Sequence, residues 1–408
     1  MRFEWFVARR YLRSPYRPAV LRLVTLFSVV GVAAGVATLV IALAMNTGFK
    51  ETLQDRLLGV TAHVSLTRSA PGGIQDYEAL LTKLSAIPGV RSVTPAVYQA
   101  MLLSFAGEAR GVVIKGVDPD RERRSDEALQ HISAGELNLS PDANGIDGLL
   151  AGKELARDWK ISPGDFVTLT SPQGRLTPYG LIPRTRRLRV AGIFDSGFYD
   201  YDANWCFINL AAAQGLAGTT DVVNVLEFRL DHPERARELA LQIGKDAGAQ
   251  YPTRTWMEEN GALFRALRLE KLVTSIFIGL ITFVAGLNIL VVLSMTVTDK
   301  ARDIAILVAM GARRDQIRQI FLAQGLTIGV SGTAAGLILG YACAWVAGTY
   351  RLIPLDPQVY SVPYVPFHPS LTDGIWITIV ALLISVDATL VPARAAAKLL
   401  PVHILRYE

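Results

Sequence analysis

Few residues in this 408-residue chain have the types and spacing of a catalytic centre. The five histidines (63, 131, 232, 368 and 403) share no metal-ligand spacing. No G-x-x-x-x-G-K-[ST], H-E-x-x-H or G-x-S-x-G occurs. DSGFYDYD gathers Asp195, Asp200 and Asp202 without the spacing and glycine of a calcium loop, so it reads as a turn with solvated carboxylates. Two other stretches have chemistry suited to docking. In VTDKARDIAILVAMGARRDQIRQIF, Lys300, Arg302 and Asp303 lead into an apolar patch of Ile304, Ile306, Leu307 and Met310, stopped by Gly311. That pattern predicts a short helix, capped by Thr298 and Asp299, whose apolar positions exceed what its own packing needs and so meet another protein. Around LTPYGLIPRTRR, Pro172, Pro178 and Pro183 limit the freedom of a loop whose tip carries Tyr179, Gly180, Leu181 and Ile182. Arg184, Arg186 and Arg187 follow, placed to meet an acidic surface.

The elements that position these segments are set by lipid. A hydrophobic fraction of 51% and a mean hydropathy of +0.31 exceed those of a soluble chain. Residues 23–45 contain no charge and, at about 1.5 Å per residue, outreach the roughly 30 Å hydrocarbon core. Ala42-Leu43-Ala44 has the form of a signal-peptidase site, but the apolar run is too long for a signal peptide, so the segment is expected to stay as an anchor. Three further spans are expected at 272–297, 320–347 and 373–391. Asp387 is an ionisable residue well inside the fourth span, and pairing with Arg394 is its expected use. In the third span Gly325, Gly329, Gly332, Gly336 and Gly340 fall on one stripe, and Gly31 and Gly35 mark the first, predicting a tight bundle or a dimer seam. Cys206 and Cys343 lie in different environments and cannot staple the fold.

Orientation follows from basic residues in short flanks. Residues 1–22 hold six arginines, 298–319 five basic residues and 392–408 three, whereas 351–370 holds only Arg351. Both termini and the 298–319 loop are thus expected in the cytoplasm, with residues 46–271 and the proline-rich 348–372 loop on the other side. The net charge of +5 then reflects topology, and no nucleic acid is needed to explain it. Phe3–Leu12 suits an interfacial helix within the 1–22 segment. The 46–271 region reads as mixed α/β, with a helix at Asp76–Ile87, a β-α-β order near its end and a β-rich insertion at 118–215 that forms a second subdomain. From Trp256 the chain runs without proline into the second span, predicting one continuous lever helix over 256–297.

DKARDIAILVAMGA resembles the signature of FtsX-like permeases, the type VII group of ABC transporters, in which this loop seats on a separate ATPase. MNTGFKETLQDRLLGVTAHVSL, LLAGKELARDWKISPGDFVTLTSP, VAGIFDSGFYDYD, LFRALRLEK, LDPQVYSVPYVPF and VPARAAAKLLPVHILR together resemble the lipoprotein-releasing permeases of the LolC/LolE family along nearly the whole chain. The resemblance implies a multi-pass protein of the Gram-negative inner membrane, with four transmembrane helices and a large mixed α/β periplasmic domain between the first two. It makes 172–187 the Hook that recruits a LolA-like carrier. The implied partners are a LolD-like ATPase dimer that holds ATP and Mg²⁺, a second permease subunit (LolE-like or a copy of this chain), and lipoprotein substrates in contact with membrane lipid. The chain itself would hold no cofactor and catalyse nothing. By the same analogy Val40, Leu43, Met45, Phe264, Leu267 and Ile276 line the lipoprotein cavity. An FtsX-type transmitter acting on a peptidoglycan hydrolase and a MacB-type efflux permease are the alternatives. Thr47, standing between Asn46 and Gly48, departs from the family pattern and predicts a shifted exit of the first span.

Overall fold

The computed structural model describes residue 6 and residues 19–70, 72–123, 127–178 and 180–398. Of the expected interfacial helix only Phe6 is among them, and the tail is described to residue 398. The helices that carry the argument are α1 (Ala19–Val60), α2 (Tyr77–Ser85), α3 (Lys153–Trp159), α4 (Tyr199–Asn204), α5 (Leu210–Ala217), α6 (Ala236–Ala247), α7 (Gly261–Asp299), α8 (Ala301–Ala309), α9 (Arg314–Thr349) and α10 (Leu371–Ala397). The chain divides into a helical unit (1–51, 266–354 and 364–408) and an α/β unit (52–265 with 355–363).

Four helices, α1, α7, α9 and α10, are long and apolar enough to cross a membrane. With 42 and 39 residues, α1 and α7 are about twice as long as a bilayer core requires, so both must continue beyond it. The glycine stripe of α9 is divided between two neighbours within the chain. Gly325 and Gly329 lie against Thr389 and Ser385 of α10, where the Ser385 hydroxyl donates to the Gly325 carbonyl at 3.0 Å. Gly332, Gly336 and Gly340 lie against Val32, Val36 and Val40 of α1. A Cβ at Gly336 would come within 2.6 Å of the Ala33 carbonyl oxygen, so the stripe brings backbones together inside the bundle and is not a free dimer seam. Gly31 and Gly35 face Asn288 and Ile281 of α7.

Thr47 leaves α1 unbroken. The next residue, Gly48, is pressed on the 364–368 segment so closely that a Cβ would fall 2.5 Å from the Pro366 carbonyl oxygen. His368 N–H donates to the Ala44 carbonyl at 3.0 Å, and Asn46 Nδ2 reaches Glu270 Oε1 at 3.2 Å. The expected lever is interrupted. Trp256–Glu259 form a separate turn under a Thr255–Glu258 capping box, and Asn260 breaks it before α7 begins at Gly261. Asp387 and Arg394 are both exposed on α10, and no ion pair joins them.

The α/β unit is built on β1 (Val64–Thr67), β2 (Ile74–Gln75), β3 (Val90–Phe105), β4 (Glu108–Val117), β5 (Ile132–Gly135), β6 (Gly148–Gly152), β7 (Phe166–Thr177), β8 (Gly180–Phe194), β9 (Trp205–Asn209), β10 (Val222–Val223), β11 (Val225–Leu230) and β12 (Thr253–Thr255). Ten of them form one sheet in the order β12-β1-β11-β3-β4-β9-β6-β8-β5, with β7 paired to both β3 and β8. The path β3-β4-β9-β6-β8-β7 therefore returns to β3 and closes a six-stranded barrel. Its interior follows the period of two: Met101 and Leu103, Val112 and Ile114, Leu149 and Ala151, Val167 and Leu169, Leu188 and Val190, Cys206 and Ile208 are all buried. Residues 118–215 thus supply strands to a barrel shared with β3 and β4 and do not close on themselves. On the opposite side of the wall, Leu150, Ala191, Phe194 and Phe207 pack with Tyr201 and with Val60, the last residue of α1.

One apolar strand carries charges that the packing uses. In β11 the Arg229 guanidinium donates to the carbonyls of Leu58 (2.7 Å) and Gly59 (3.3 Å), satisfying orphan acceptors at the negative end of α1. Glu227 takes part with Glu122 in a buried cluster around Lys115, at 2.9 and 2.5 Å from its ammonium, and accepts from the Tyr98 hydroxyl. Beside Arg229, buried His63 accepts the Leu230 N–H on Nδ1 at 2.9 Å. Burial, then the Arg229 charge, lowers its pKa from 6.5 to about 4. A depressed histidine contributes stability that is present above pH 6.5 and lost as pH falls through 4, on the order of 3 kcal/mol in all. Relative to wild type, His63→Gln should gain that amount on acidification across this window, read from the exchange protection of the Leu230 amide; parallel pH curves would refute it.

Candidate functional site

The segment 172–187 is the outer part of a β-hairpin. Its strands pair in register from Phe166↔Arg189 to Ser171↔Arg184, slip, and resume from Arg175↔Ile182 to Thr177↔Gly180. The slip falls where Pro172 and Pro183 lack an N–H for the ladder, which separates a short tip from the barrel wall below it. Gly180, at φ +111°, takes the backbone conformation that closes the turn. Pro178, Gly180, Ile182 and Pro183 are exposed, Ile182 by 53%. Tyr179 lies outside the described residues, and so does the side chain of Leu181.

The three arginines below the tip have partners inside the chain. Arg184 packs its guanidinium over Gly218 at the C-terminal end of α5, a favourable place for a cation. Arg186 is paired with the buried carboxylate of Asp147. Arg187 stacks on the Phe166 ring at 4.3 Å from its centroid while staying exposed. Two of the three are thus half-buried braces for the hairpin, and of these only Arg187 presents an exposed cation.

The second candidate is α8. Thr298 and Asp299 belong to the end of α7, so neither caps it; Lys300 occupies that position and pairs with Asp303 at 3.0 Å. At its other end Met310 and Gly311 (φ +97°) close the helix, with Ala312 N–H returning to the Leu307 carbonyl. Ile304 is 1% exposed in a cluster with Ile317, Phe321 and Ala393, and Leu307 packs partly against it. Those two side chains hold α8 to α9 and α10. Arg302, Ile306 and Met310 point the other way, Ile306 exposed by 44% and Met310 by 79%. The outward face is therefore half of the patch read from sequence.

The six residues assigned to a lipoprotein cavity differ in their surroundings within this chain. Val40 is buried against Gly340, Leu43 is partly buried, and Leu267 is half-buried. Met45 and Ile276 are exposed, by 39% and 63%. Phe264 sets its edge on Trp256 in the α/β core, with centroids 5.2 Å apart. A small apolar crevice of about 30 Å³ lies between α1, α7 and α10, lined by Val36, Leu39, Gly286 and Ile377.

The DSGFYDYD carboxylates are not all solvated. Asp202 is 3% exposed and accepts from Ser196 N–H (2.9 Å) and Oγ (2.6 Å), while burial pushes its pKa up to about 6. Asp195 pairs with Lys153 at 2.6 Å. Among the described residues no group of three histidine, cysteine, aspartate or glutamate side chains could hold a metal ion. Nothing in the sequence signalled the role of Arg56, whereas for Arg229 the charges within the strand VLEFRL were a visible signal that a buried partner awaited it.

The architecture is that of a membrane permease. The model for the FtsX-like permease C-terminal region matches residues 275–401, and that for the MacB-like periplasmic core domain matches residues 25–245. The chain is 31% identical to the lipoprotein-releasing system transmembrane protein LolC of Neisseria meningitidis serogroup B, covering 99% of each chain. It is 30% identical to the LolC of Xylella fastidiosa (98% of each) and 29% identical to the LolE of Haemophilus influenzae (99% of each). The chain belongs to the LolC/LolE family of lipoprotein-releasing system transmembrane proteins.

Proposed function

We propose that this chain is the permease subunit of an ATP-driven transporter that lifts acylated lipoproteins from the inner membrane of a Gram-negative bacterium and passes them to a soluble periplasmic carrier. The carrying observation is the likeness to lipoprotein-releasing system proteins over 99% of both chains, which spans the hairpin and α8 together. In this reading ATP and Mg²⁺ belong to a separate LolD-like ATPase dimer, seated on the face of Arg302, Ile306 and Met310. A second permease, LolE-like or a copy of this chain, completes the path, and Val40, Leu43, Met45, Phe264, Leu267 and Ile276 contribute to a cavity formed with it. Both termini are cytoplasmic and the α/β unit is periplasmic, as the basic flanks favour. The energy requirement is sensible, since each buried CH₂ of an acyl anchor is worth about 0.8 kcal/mol.

The test is site-specific photo-crosslinking from Ile182 in cells. A soluble lipoprotein carrier is the expected product. Capture of a peptidoglycan hydrolase would favour a transmitter, and capture of an outer-membrane efflux channel or its adaptor would favour efflux; either would overturn the reading.

A further inference from the structure

The loop Asp195–Asp202 follows β8 directly, and β8 is the strand whose other end carries the hairpin tip. Three elements meet on this loop within the α/β unit. From α1, half-buried Arg56 donates through Nη1 to the Gly197 carbonyl. From the segment linking α9 to α10, Ser361 Oγ lies 3.4 Å from Asp200 Oδ2. From α3, Lys153 holds Asp195. The loop's own shape is fixed from inside, because Asp202 accepts both Ser196 donors and Gly197 N–H donates to Asp195 Oδ1 at 3.1 Å. Gly197, at φ +71°, turns its carbonyl to Arg56. Below the loop Val60 packs with Phe194 and Tyr201, so the end of α1 touches the end of β8 by side chain as well as by hydrogen bond.

We propose that the Asp195–Asp202 loop is a mechanical joint: Arg56 on the far end of the first membrane helix and Ser361 on the last connector set the position of β8, and through it the hairpin tip. Two properties of the site support it. Asp202 is buried and accepts from both the N–H and the hydroxyl of Ser196, so the loop is stiff enough to pass on a displacement. The Arg56 bond is also separate from the Arg229 cap on Leu58 and Gly59, which fixes α1 to β11 on another part of the sheet. One link anchors the helix, and the other reports its displacement to the hairpin. Arg56 and Ser361 are positioning residues; neither is assigned contact with cargo.

The inference rests on the transporter reading, and its test is arranged to fail separately. In the full complex, spin labels at Ile182 on the hairpin and Leu241 on α6, both exposed, give the tip-to-body distance with and without trapped nucleotide. Wild type should show a nucleotide-dependent shift. Arg56→Met should lose that shift while keeping ATP hydrolysis, Arg56→Lys should restore part of it, and Ser196→Ala should broaden the distance distribution. Persistence of the full shift in Arg56→Met, loss of hydrolysis together with the shift, or no shift in wild type would each overturn the joint. Crosslinking from Ile182 to a carrier would still stand in all three cases, so a failed joint leaves the transport reading intact.

Discussion

Ile306→Asp should abolish lipoprotein-stimulated ATP hydrolysis by the assembled complex while leaving the chain folded and in the membrane. Ile306 sits on the outward face of α8, exposed by 44%, with Met310 one turn on. Burying such a side chain at a partner surface contributes about 1.5–3 kcal/mol, and a carboxylate forced into the same pocket adds a desolvation cost. Together they predict a loss of about tenfold to several-hundredfold in ATPase affinity. The control is Ile304→Asp, two residues away. That side chain is 1% exposed among Ile317, Phe321 and Ala393, so its replacement should destabilise the cytoplasmic end of the bundle and reduce the amount of protein recovered. Co-purification of the ATPase with each variant separates the outcomes. Normal recovery of an Ile306→Asp complex with normal stimulated hydrolysis would remove α8 as the coupling element.

The contrast between Ile304 and Ile306 shows where sequence reading stops. The residue pattern predicted a short helix ending at Gly311 with apolar residues in excess, but not which of its apolar residues the chain itself covers. That depends on α9 and α10 being adjacent, which follows from tertiary packing. The glycine stripe behaves likewise. Its spacing identified a face of close approach, and the division of that face between Thr389 and Ser385 on one side and Val32, Val36 and Val40 on the other required the neighbours to be known. In the α/β unit, β3 and β4 are neighbours in sequence, joined by a turn at Gly107, and such local pairing is within reach of a sequence pattern. Closure of the barrel was invisible because it depends on pairs such as Leu102↔Thr170, whose residues lie far apart in sequence. The arginines of the hairpin were readable as cations. Their partners Asp147 and Gly218 come from distant segments, so their bracing role was not.

Bracing and display divide the hairpin into two parts with different mutational behaviour. Below the slip, Arg184, Arg186 and Arg187 fasten it to α5, Asp147 and Phe166; above it, among the described residues, β7 and β8 pair with each other alone. If the tip receives a carrier, as proposed, it gains from prolines at 172, 178 and 183, each of which removes unfolded freedom worth about 0.4–1 kcal/mol.

Replacing residues 176–183 by a Gly-Ser segment of equal length should therefore reduce carrier capture by at least about a hundredfold, since it removes both the exposed Ile182 and the stiffness of Pro178 and Pro183. Ile182→Asp alone should account for about tenfold or more of that loss. Arg186→Ala should act by another route. It leaves the Asp147 carboxylate buried without its cation, so the hairpin base loosens and Asp147→Asn should partly rescue it. ATP hydrolysis should remain in the tip variants, because the described pairing above the slip runs between β7 and β8 within the hairpin itself. The assay is transfer of a radiolabelled lipoprotein from proteoliposomes to added carrier. Undiminished transfer by the Gly-Ser variant would show that the exposed tip is not where the carrier is received, and would move the search to the barrel wall around Phe166 and Arg187.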